Sequence, residues 1–369
     1  MIDGSGNFRD VDTPALLLDL DQVERNIERY QRLAASAGLT LRPHAKAHKC
    51  SAVGRIQVER GAVGLCCAKL GEAESMAACG LRNLLVTTPV VGPLKIRRLM
   101  ELAGSAQIAV VADHESNIAA LSQAATSAGV RLDILVEVDV GQGRTGVTPG
   151  QRAGELAAQI ARSPGLQFVG LQGYQGKLQA VASLADRASL VSEAMTRLRA
   201  SIESIRAAGQ DCKVITGGGT GSFPIDIERR MFTELQPGSY VTMDNTYAKV
   251  VLGKESDAHP LGHPLTILAT VISRPNAEKA IVDVGWKSAS SDAGLPSVKG
   301  RPEWVFEFAG DEHGSIRSNV GPLSLALADR VELVPSHCDT TVNLHDRFAV
   351  HRSGRLEATW AIEGRGKSS

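Results

Sequence analysis

His44, Lys46 and His48 alternate with Ala45 and Ala47 in the run Leu41-Arg-Pro-His-Ala-Lys-Ala-His-Lys49, just after an apolar stretch that begins at Leu39. Strand side chains alternate between faces, so this spacing predicts that the three basic groups share one face and the alanines the other. A lysine held among imidazoles at a strand end is placed for a depressed amine pKa, and so for Schiff-base chemistry. The same residues also fit a partly exposed strand-end lysine, since perturbed charges are often structural.

Further polar groups recur after apolar runs. Arg144 follows Glu137-Val-Asp-Val-Gly-Gln-Gly, where Gly141, Gly143 and Gly146 permit tight turns near a ligand. Tyr174 and Gln175 follow the next run. Thr216, Gly218, Gly219, Thr220, Gly221 and Ser222 belong to one Gly-rich loop, and Gly238, Ser239 and Tyr240 end a last run. These two loops suit a phosphate, because they expose backbone N–H groups and add hydroxyl donors. No Gly-Lys-Ser/Thr follows, which disfavours a nucleotide P-loop. A Gly-rich loop alone also reads as a plain turn. Opposite a strand-end lysine it gains meaning, since pyridoxal 5′-phosphate requires one phosphate site facing one Schiff-base lysine.

His337 and Asp339 lie two apart in Pro335-Ser-His-Cys-Asp339, so on a strand they share a face while Cys338 points away. One imidazole and one carboxylate make a half-built divalent cation site, completed by water and substrate oxygen. Oxygen ligands favour Mn²⁺ or Mg²⁺, and Zn²⁺ accepts them too. The pair equally fits a structural hydrogen bond. Cys338 can serve as a thiolate ligand only if the backbone there is not extended.

The 369 residues carry 40 Lys plus Arg and 40 Asp plus Glu, a balance that gives no reason to expect nucleic acid or an anionic membrane as partner. No apolar run reaches the roughly 18 residues that span a bilayer. Met-Ile-Asp-Gly-Ser-Gly has no basic or apolar leader, and the six cysteines show no disulfide framework, so a reduced cytoplasmic setting is expected.

Elements that would position these groups follow from the apolar pattern. Eight runs read as strands, at Leu39–Lys46, Ala62–Cys67, Asn83–Thr88, Gln107–Ala112, Leu132–Asp139, Phe168–Gly173, Lys213–Thr216 and Thr233–Gly238. Amphipathic segments lie between them. This alternation predicts an α/β fold, a (β/α)8 TIM-like barrel, with a doubly wound open sheet as the alternative. The polar groups then fall at strand C-termini, where barrel enzymes build their sites. After about Asn245, short β-runs separated by turn residues predict a second, mostly antiparallel β domain with no strong helix. The expected division is 21–244 for the barrel and 245–369 for the β domain carrying the metal site, joined by the N-terminal strand within 1–20.

The runs 42–49, 137–144, 216–222, 234–240, 311–314 (Asp-Glu-His-Gly) and 335–339 together resemble the D-threonine aldolases, metal-activated pyridoxal phosphate enzymes with an alanine-racemase-like fold (fold type III). The resemblance covers nearly the whole chain in order. It implies a homodimer with the site near the subunit boundary and cleavage of D-β-hydroxy-α-amino acids, D-threonine giving glycine and acetaldehyde. It places the Schiff base on Lys46, the divalent metal on His337 and Asp339, Arg144 and Tyr174 on the cofactor ring, and the phosphate on 218–222 with Gly238, Ser239 and Tyr240. Related D-serine dehydratases carry cysteine where Asp339 stands, which favours the aldolase branch. Ser291-Asp-Ala-Gly-Leu-Pro296 is similar to aldolases acting on 3-hydroxy-D-aspartate. Some relatives have a histidine a few residues beyond Tyr174, whereas 175–180 here contain none. The base is then metal-bound hydroxide, His48 or His313.

Two other activities compete. A D-hydroxyamino-acid dehydratase would release a 2-oxo acid and ammonia, and a non-catalytic pyridoxal phosphate carrier would need only Lys46 and the phosphate loop. Cys66 and Cys67 are expected to pack on opposite strand faces. Lys49 and Lys69 read as helix-start or surface charges, His259 and His263 as connector residues, and 364–369 as a frayed end.

Overall fold

The structure is a computed structural model describing residues 10–252 and 261–369; His259 and the start of the chain at 1–9 lie outside them. The chain enters through β1 (Ala15–Asp19), and the Asp19 carboxylate accepts the Gln22 N–H at 3.1 Å to cap α1 (Leu20–Ser36). Alternation follows: β2 (Thr40–Leu41), α2 (Ser51–Glu59), β3 (Leu65–Cys67), α3 (Leu70–Ala78), β4 (Asn83–Val86), α4 (Pro93–Ala103), β5 (Gln107–Ala112) and α5 (Glu115–Ala128). It continues through β6 (Leu132–Glu137), α6 (Gln151–Arg162), β7 (Leu166–Gly173), α7 (Leu184–Ala207), β8 (Val214–Gly217), α8 (Phe223–Arg229) and β9 (Glu234–Leu235).

Strands β2 to β9 form one eight-stranded parallel sheet in the order β2-β9-β8-β7-β6-β5-β4-β3. The ring closes between its ends through a parallel bridge from His44 to Cys66, where the Cys66 N–H reaches Pro43 O at 2.8 Å. Cys66, Leu85, Val111, Leu135 and Val169 fill the barrel's inside, while Cys67, Leu84, Val110 and Val136 face the helices. The two adjacent cysteines therefore point to opposite faces, as strand geometry requires. All eight expected strands are present, several shorter than their apolar runs. The first of them stops earliest, at Leu41: Pro43 has no N–H to offer a ladder, and the chain turns at His44.

The second sheet contains β10 (Leu265–Asn276), β11 (Lys279–Val282), β12 (Ser297–Val298), β13 (Trp304–Phe308), β14 (Gly314–Ser318), β15 (Arg330–Val334), β16 (Arg347–Arg352) and β17 (Arg355–Ala361). It also takes in β1, antiparallel to β10 and parallel to β16. Leu16 and Leu18 face the main core and Leu17 a smaller cluster with Val11, Leu268 and Leu356, so β1 is apolar on both sides. Among the described residues one short α-helix interrupts this region, α9 (Cys338–Val342), where no strong helix was expected.

The C-terminal segment is docked, not frayed. Gly71 N–H donates to Ser369 O at 2.9 Å, and Gly364 N–H to Lys49 O at 2.9 Å. Lys49 is correspondingly buried, its ammonium 2.5 Å from Glu72, and not a surface charge. These bonds hold the stretch after Lys46 against α3 and the chain end.

Candidate active site

Lys46 sits in a 3₁₀ turn, Ala45–Ala47, whose first N–H groups are partly satisfied by His44: its Nδ1 accepts the Lys46 N–H at 3.4 Å. The three basic residues therefore do not share a strand face. His44 lines a cavity, with Nε2 3.1 Å from Thr87 Oγ1. His48 is fully buried off that cavity, and its Nδ1 accepts the Cys50 N–H at 3.1 Å. Burial pushes His48 down to about 4 and His44 well below the usual imidazole range. For Lys46 burial also works downward, but the Asp339 carboxylate and then Tyr174 outweigh it, and the amine lies above its ordinary value. The expected depression of the Lys46 pKa is thus reversed by a carboxylate from the far end of the chain.

The cavity encloses about 590 Å³ of atom-free space at the C-terminal ends of the barrel strands. Lys46, Arg144 and Tyr174 form one side, with the Lys46 ammonium 6.0 Å and the Arg144 guanidinium 5.9 Å from the Tyr174 ring centre. The Arg144 loop is pinned by carboxylates. Asp139 accepts N–H groups of Gly141 at 2.9 Å and Gly143 at 3.0 Å, Glu137 the Thr145 hydroxyl at 2.8 Å, and Asp113 the Gly146 N–H at 2.9 Å. Burial pushes Glu137 up to about 7.

Below the cavity runs a ladder of hydrogen bonds. Gln172 Nε2 donates to Thr87 O at 3.1 Å, and Gln236 Nε2 to Gln172 Oε1 at 3.1 Å and Thr216 Oγ1 at 3.0 Å. Thr216 in turn donates to Glu234 at 3.0 Å. Thr216 is therefore part of the barrel interior, not of the cavity wall.

Gly219, Thr220, Gly238 and Ser239 line the same cavity as Lys46, with Gly238 against His44 and Ala47. The Thr220 Oγ1 accepts the Tyr240 N–H at 3.0 Å, which leaves its own proton for donation. In the rest of the expected phosphate set, the side chains of Ser222 and Tyr240 point elsewhere. Ser222 Oγ accepts from Gly219 N–H and Gln179 Nε2, both at 3.0 Å, and donates its one proton to Asp226 at 2.6 Å. Nothing is left for a ligand. A Cβ on Gly221 would fall 1.9 Å from Gln179 O, so glycine there serves packing, and Gly218 is set by its φ of +67°. Tyr240 is buried, its ring stacked on Tyr30 at 4.6 Å and its hydroxyl accepting from Gln57 Nε2 at 2.9 Å. One cavity lined by the Thr220 and Ser239 residues together with the amine of Lys46 and the guanidinium of Arg144 fits the anionic phosphate and the aldehyde of pyridoxal phosphate.

Beside the cavity, next to Lys46, stands α9, none of whose residues lines the cavity wall. His337 is its N-cap and Asp339 lies in its first turn, so the pair is brought together by a helix start and not by a strand face. His337 Nε2 lies 4.0 Å from Asp339 Oδ1, and Asp339 Oδ2 lies 3.8 Å from the Lys46 ammonium. Among the described residues no three His, Cys, Asp or Glu side chains are grouped to hold a metal, so a cation held by His337 and Asp339 would have two protein ligands, with water and substrate oxygen to complete its shell. This donor set fits a divalent cation that also binds substrate oxygen. Cys338 is buried, accepting the Thr242 hydroxyl at 3.0 Å, and burial raises its thiol well above the usual range. Asp244 accepts the Cys338 N–H at 2.9 Å and so caps α9 from the end of the barrel. His313 is exposed in the turn between β13 and β14 and does not line the cavity.

Sequence reasoning missed Thr87, Thr88, Gln172, Gln236 and Tyr247 on the cavity. Thr87 and Thr88 follow β4, and the strand-end rule that singled out Lys46 and Arg144 would have found them.

Residues 18–246 match the family described as alanine racemase, N-terminal domain, and 264–351 the putative serine dehydratase domain. A D-threonine aldolase from Arthrobacter sp. is 41% identical over 97% of this chain and 94% of its own. A 3-hydroxy-D-aspartate aldolase from Paracoccus denitrificans (strain Pd 1222) is 39% identical over 97% of this chain and 93% of its own. Relatives named as dehydratases are more distant, at 28% and 24% identity. The crystal structure of D-threonine aldolase from Filomicrobium marinum superposes with a TM-score of 0.96 at 38% identity, covering 99% of both chains. With a parallel barrel, a lysine at its mouth and near-full-length similarity to such proteins, this chain belongs to the D-threonine aldolase family.

Proposed function

We propose that the protein is a lyase that cleaves D-β-hydroxy-α-amino acids, D-threonine or 3-hydroxy-D-aspartate, to glycine and an aldehyde. The observation that carries this reading is the 3.8 Å approach of the Lys46 ammonium to Asp339, which joins a barrel-mouth amine to the His337–Asp339 corner. Pyridoxal phosphate supplies an electron sink for the pair released from Cα–Cβ, and a divalent cation supplies Lewis acidity toward the β-hydroxyl.

The chain's own residues provide attachment and alignment. Lys46 would offer the amine to which the cofactor attaches. Thr220 and Ser239 would hold the phosphate end, and Arg144 and Tyr174 would orient the ring. His337 and Asp339 would hold the cation. On this reading residues 21–244 carry the cofactor, and 245–369 with the N-terminal strand carry the cation. Hard oxygen donors favour Mn²⁺, with Mg²⁺ and Zn²⁺ as alternatives. A cytoplasmic homodimer completes the proposal: the six cysteines are free, and no helix among the described residues is long and apolar enough to cross a membrane.

The second reading, β-elimination, would use the same corner and is disfavoured by the carboxylate at 339. Incubation with D-threonine and with 3-hydroxy-D-aspartate, with and without Mn²⁺, separates them. Metal-stimulated glycine is expected; a 2-oxo acid with ammonia, or no product from either substrate, overturns the proposal.

A further inference from the structure

We infer that Asp292 is a positioning residue for the metal ligand His337, holding the imidazole so that Nε2 faces the cation. This rests on the cation reading of His337 and Asp339. Asp292 Oδ2 lies 2.7 Å from His337 Nδ1, while His337 Nε2 points toward Asp339 Oδ1 at 4.0 Å. A carboxylate against Nδ1 puts the ring proton there, which leaves the Nε2 lone pair for a metal.

The carboxylate is itself held. Its Oδ1 accepts the Thr340 hydroxyl at 2.8 Å and the Ser290 hydroxyl. Thr340 belongs to α9, the same helix that carries Asp339, and its hydroxyl oxygen also lies 2.7 Å from Ser290 Oγ. Ser290 is fastened through its backbone, its carbonyl accepting Ser336 Oγ at 3.0 Å and its N–H reaching Thr341 Oγ1 at 3.3 Å. The loop bearing Asp292 is thus tied to the residue before His337 and to two residues of α9. Each tie fixes the Asp292 oxygen relative to the helix start, and a ring with two rotatable bonds acquires one orientation. Asp292, like His337 and Asp339, is not among the residues that line the cavity.

Mn²⁺ binding to the cofactor-loaded protein, read by the free-Mn²⁺ electron paramagnetic resonance signal, tests this. Asp292→Ala and Asp292→Asn are expected to weaken Mn²⁺ affinity about 10- to 100-fold, Asn because its amide can donate to Nδ1 and force the wrong tautomer. Asp292→Glu is expected to recover part of the loss. At saturating Mn²⁺ the Ala variant should regain kcat with KM little changed, and thermal unfolding of the cation-free protein should match wild type. Unchanged Mn²⁺ affinity in Asp292→Ala overturns the inference, as does a raised substrate KM at saturating Mn²⁺. If His337→Ala and Asp339→Ala also bind Mn²⁺ like wild type, the cation reading itself has failed; if only they lose it, the role of Asp292 alone has.

Discussion

The proposed cofactor and cation sides of the site are built on different plans. The cofactor side is gathered from the ends of β2, β4, β6, β7, β8 and β9, with loops pinned by Asp113, Glu137 and Asp139 and a floor of linked amides and hydroxyls. The cation side is two side chains within one turn of a five-residue helix, oriented from outside by Asp244 and Asp292. A distributed cradle shares its binding among many groups, so single losses there are graded. A two-ligand corner has no redundancy, and single losses are close to complete.

The sharpest way to break that comparison is Asp339→Ala. Removing one of two protein ligands should cost metal-stimulated turnover on the order of 100- to 1,000-fold, equivalent to several kcal/mol of transition-state stabilisation. The absorbance of lysine-bound cofactor should persist, because Thr220, Ser239, Arg144 and Tyr174 are untouched. Chelation of the wild-type protein should reproduce the loss. Near-normal turnover in chelator would show that the corner does not act through a metal; simultaneous loss of cofactor would show that the two sides are one.

The same contrast governs what was legible in the sequence. The barrel follows from Val-, Ile- and Leu-rich runs of strand length spaced by amphipathic segments, and the strand-end rule then placed Lys46, Arg144 and Tyr174 together without any knowledge of contacts. The period-two reading failed at 44–48 and again at 337–339, where Pro43, a side-chain cap at His44 and a helix start at His337 override extended geometry. Pro43 was a readable warning; the cap of α9 was not, because Asp244 lies 94 residues upstream of Cys338. Direction was the other hidden quantity. Ser222 and Tyr240 sit beside the phosphate loop in sequence, but Asp226, Gln179 and Tyr30 turn their side chains away from it.

A second test sharpens the picture of the cradle's support. Asp226 is buried behind the loop, accepting from Ser222, and burial pushes its carboxyl up to about 7. A carboxyl whose folded pKa exceeds its unfolded value, near 3.9, contributes stability that is full below that value and is lost as pH rises through the folded one. Wild type should therefore lose on the order of a few kcal/mol from this group between about pH 4 and pH 8. Asp226→Asn keeps an acceptor for Ser222 and does not titrate. Denaturant unfolding across that range should show the variant gaining on wild type as pH rises. A pH-independent difference would mean that Asp226 is already ionised in the fold and that Ser222 is held otherwise.

The smallest effect expected separates proximity from contact. Tyr240→Phe preserves the stack on Tyr30 and the backbone N–H to Thr220, and removes only the hydroxyl that accepts from Gln57. A buried donor left without its partner costs about 1–2 kcal/mol, so the free energy of unfolding should fall by that amount. Cofactor affinity should not move, because the hydroxyl points into the core between α1 and α2 and the phosphate-facing groups are Thr220 and Ser239. A loss of cofactor affinity greater than the loss of stability would return Tyr240 to the phosphate site and require its ring to leave the stack. An unchanged affinity at reduced stability would show that the cradle draws on Tyr240 through its backbone alone, the graded behaviour that a distributed site predicts.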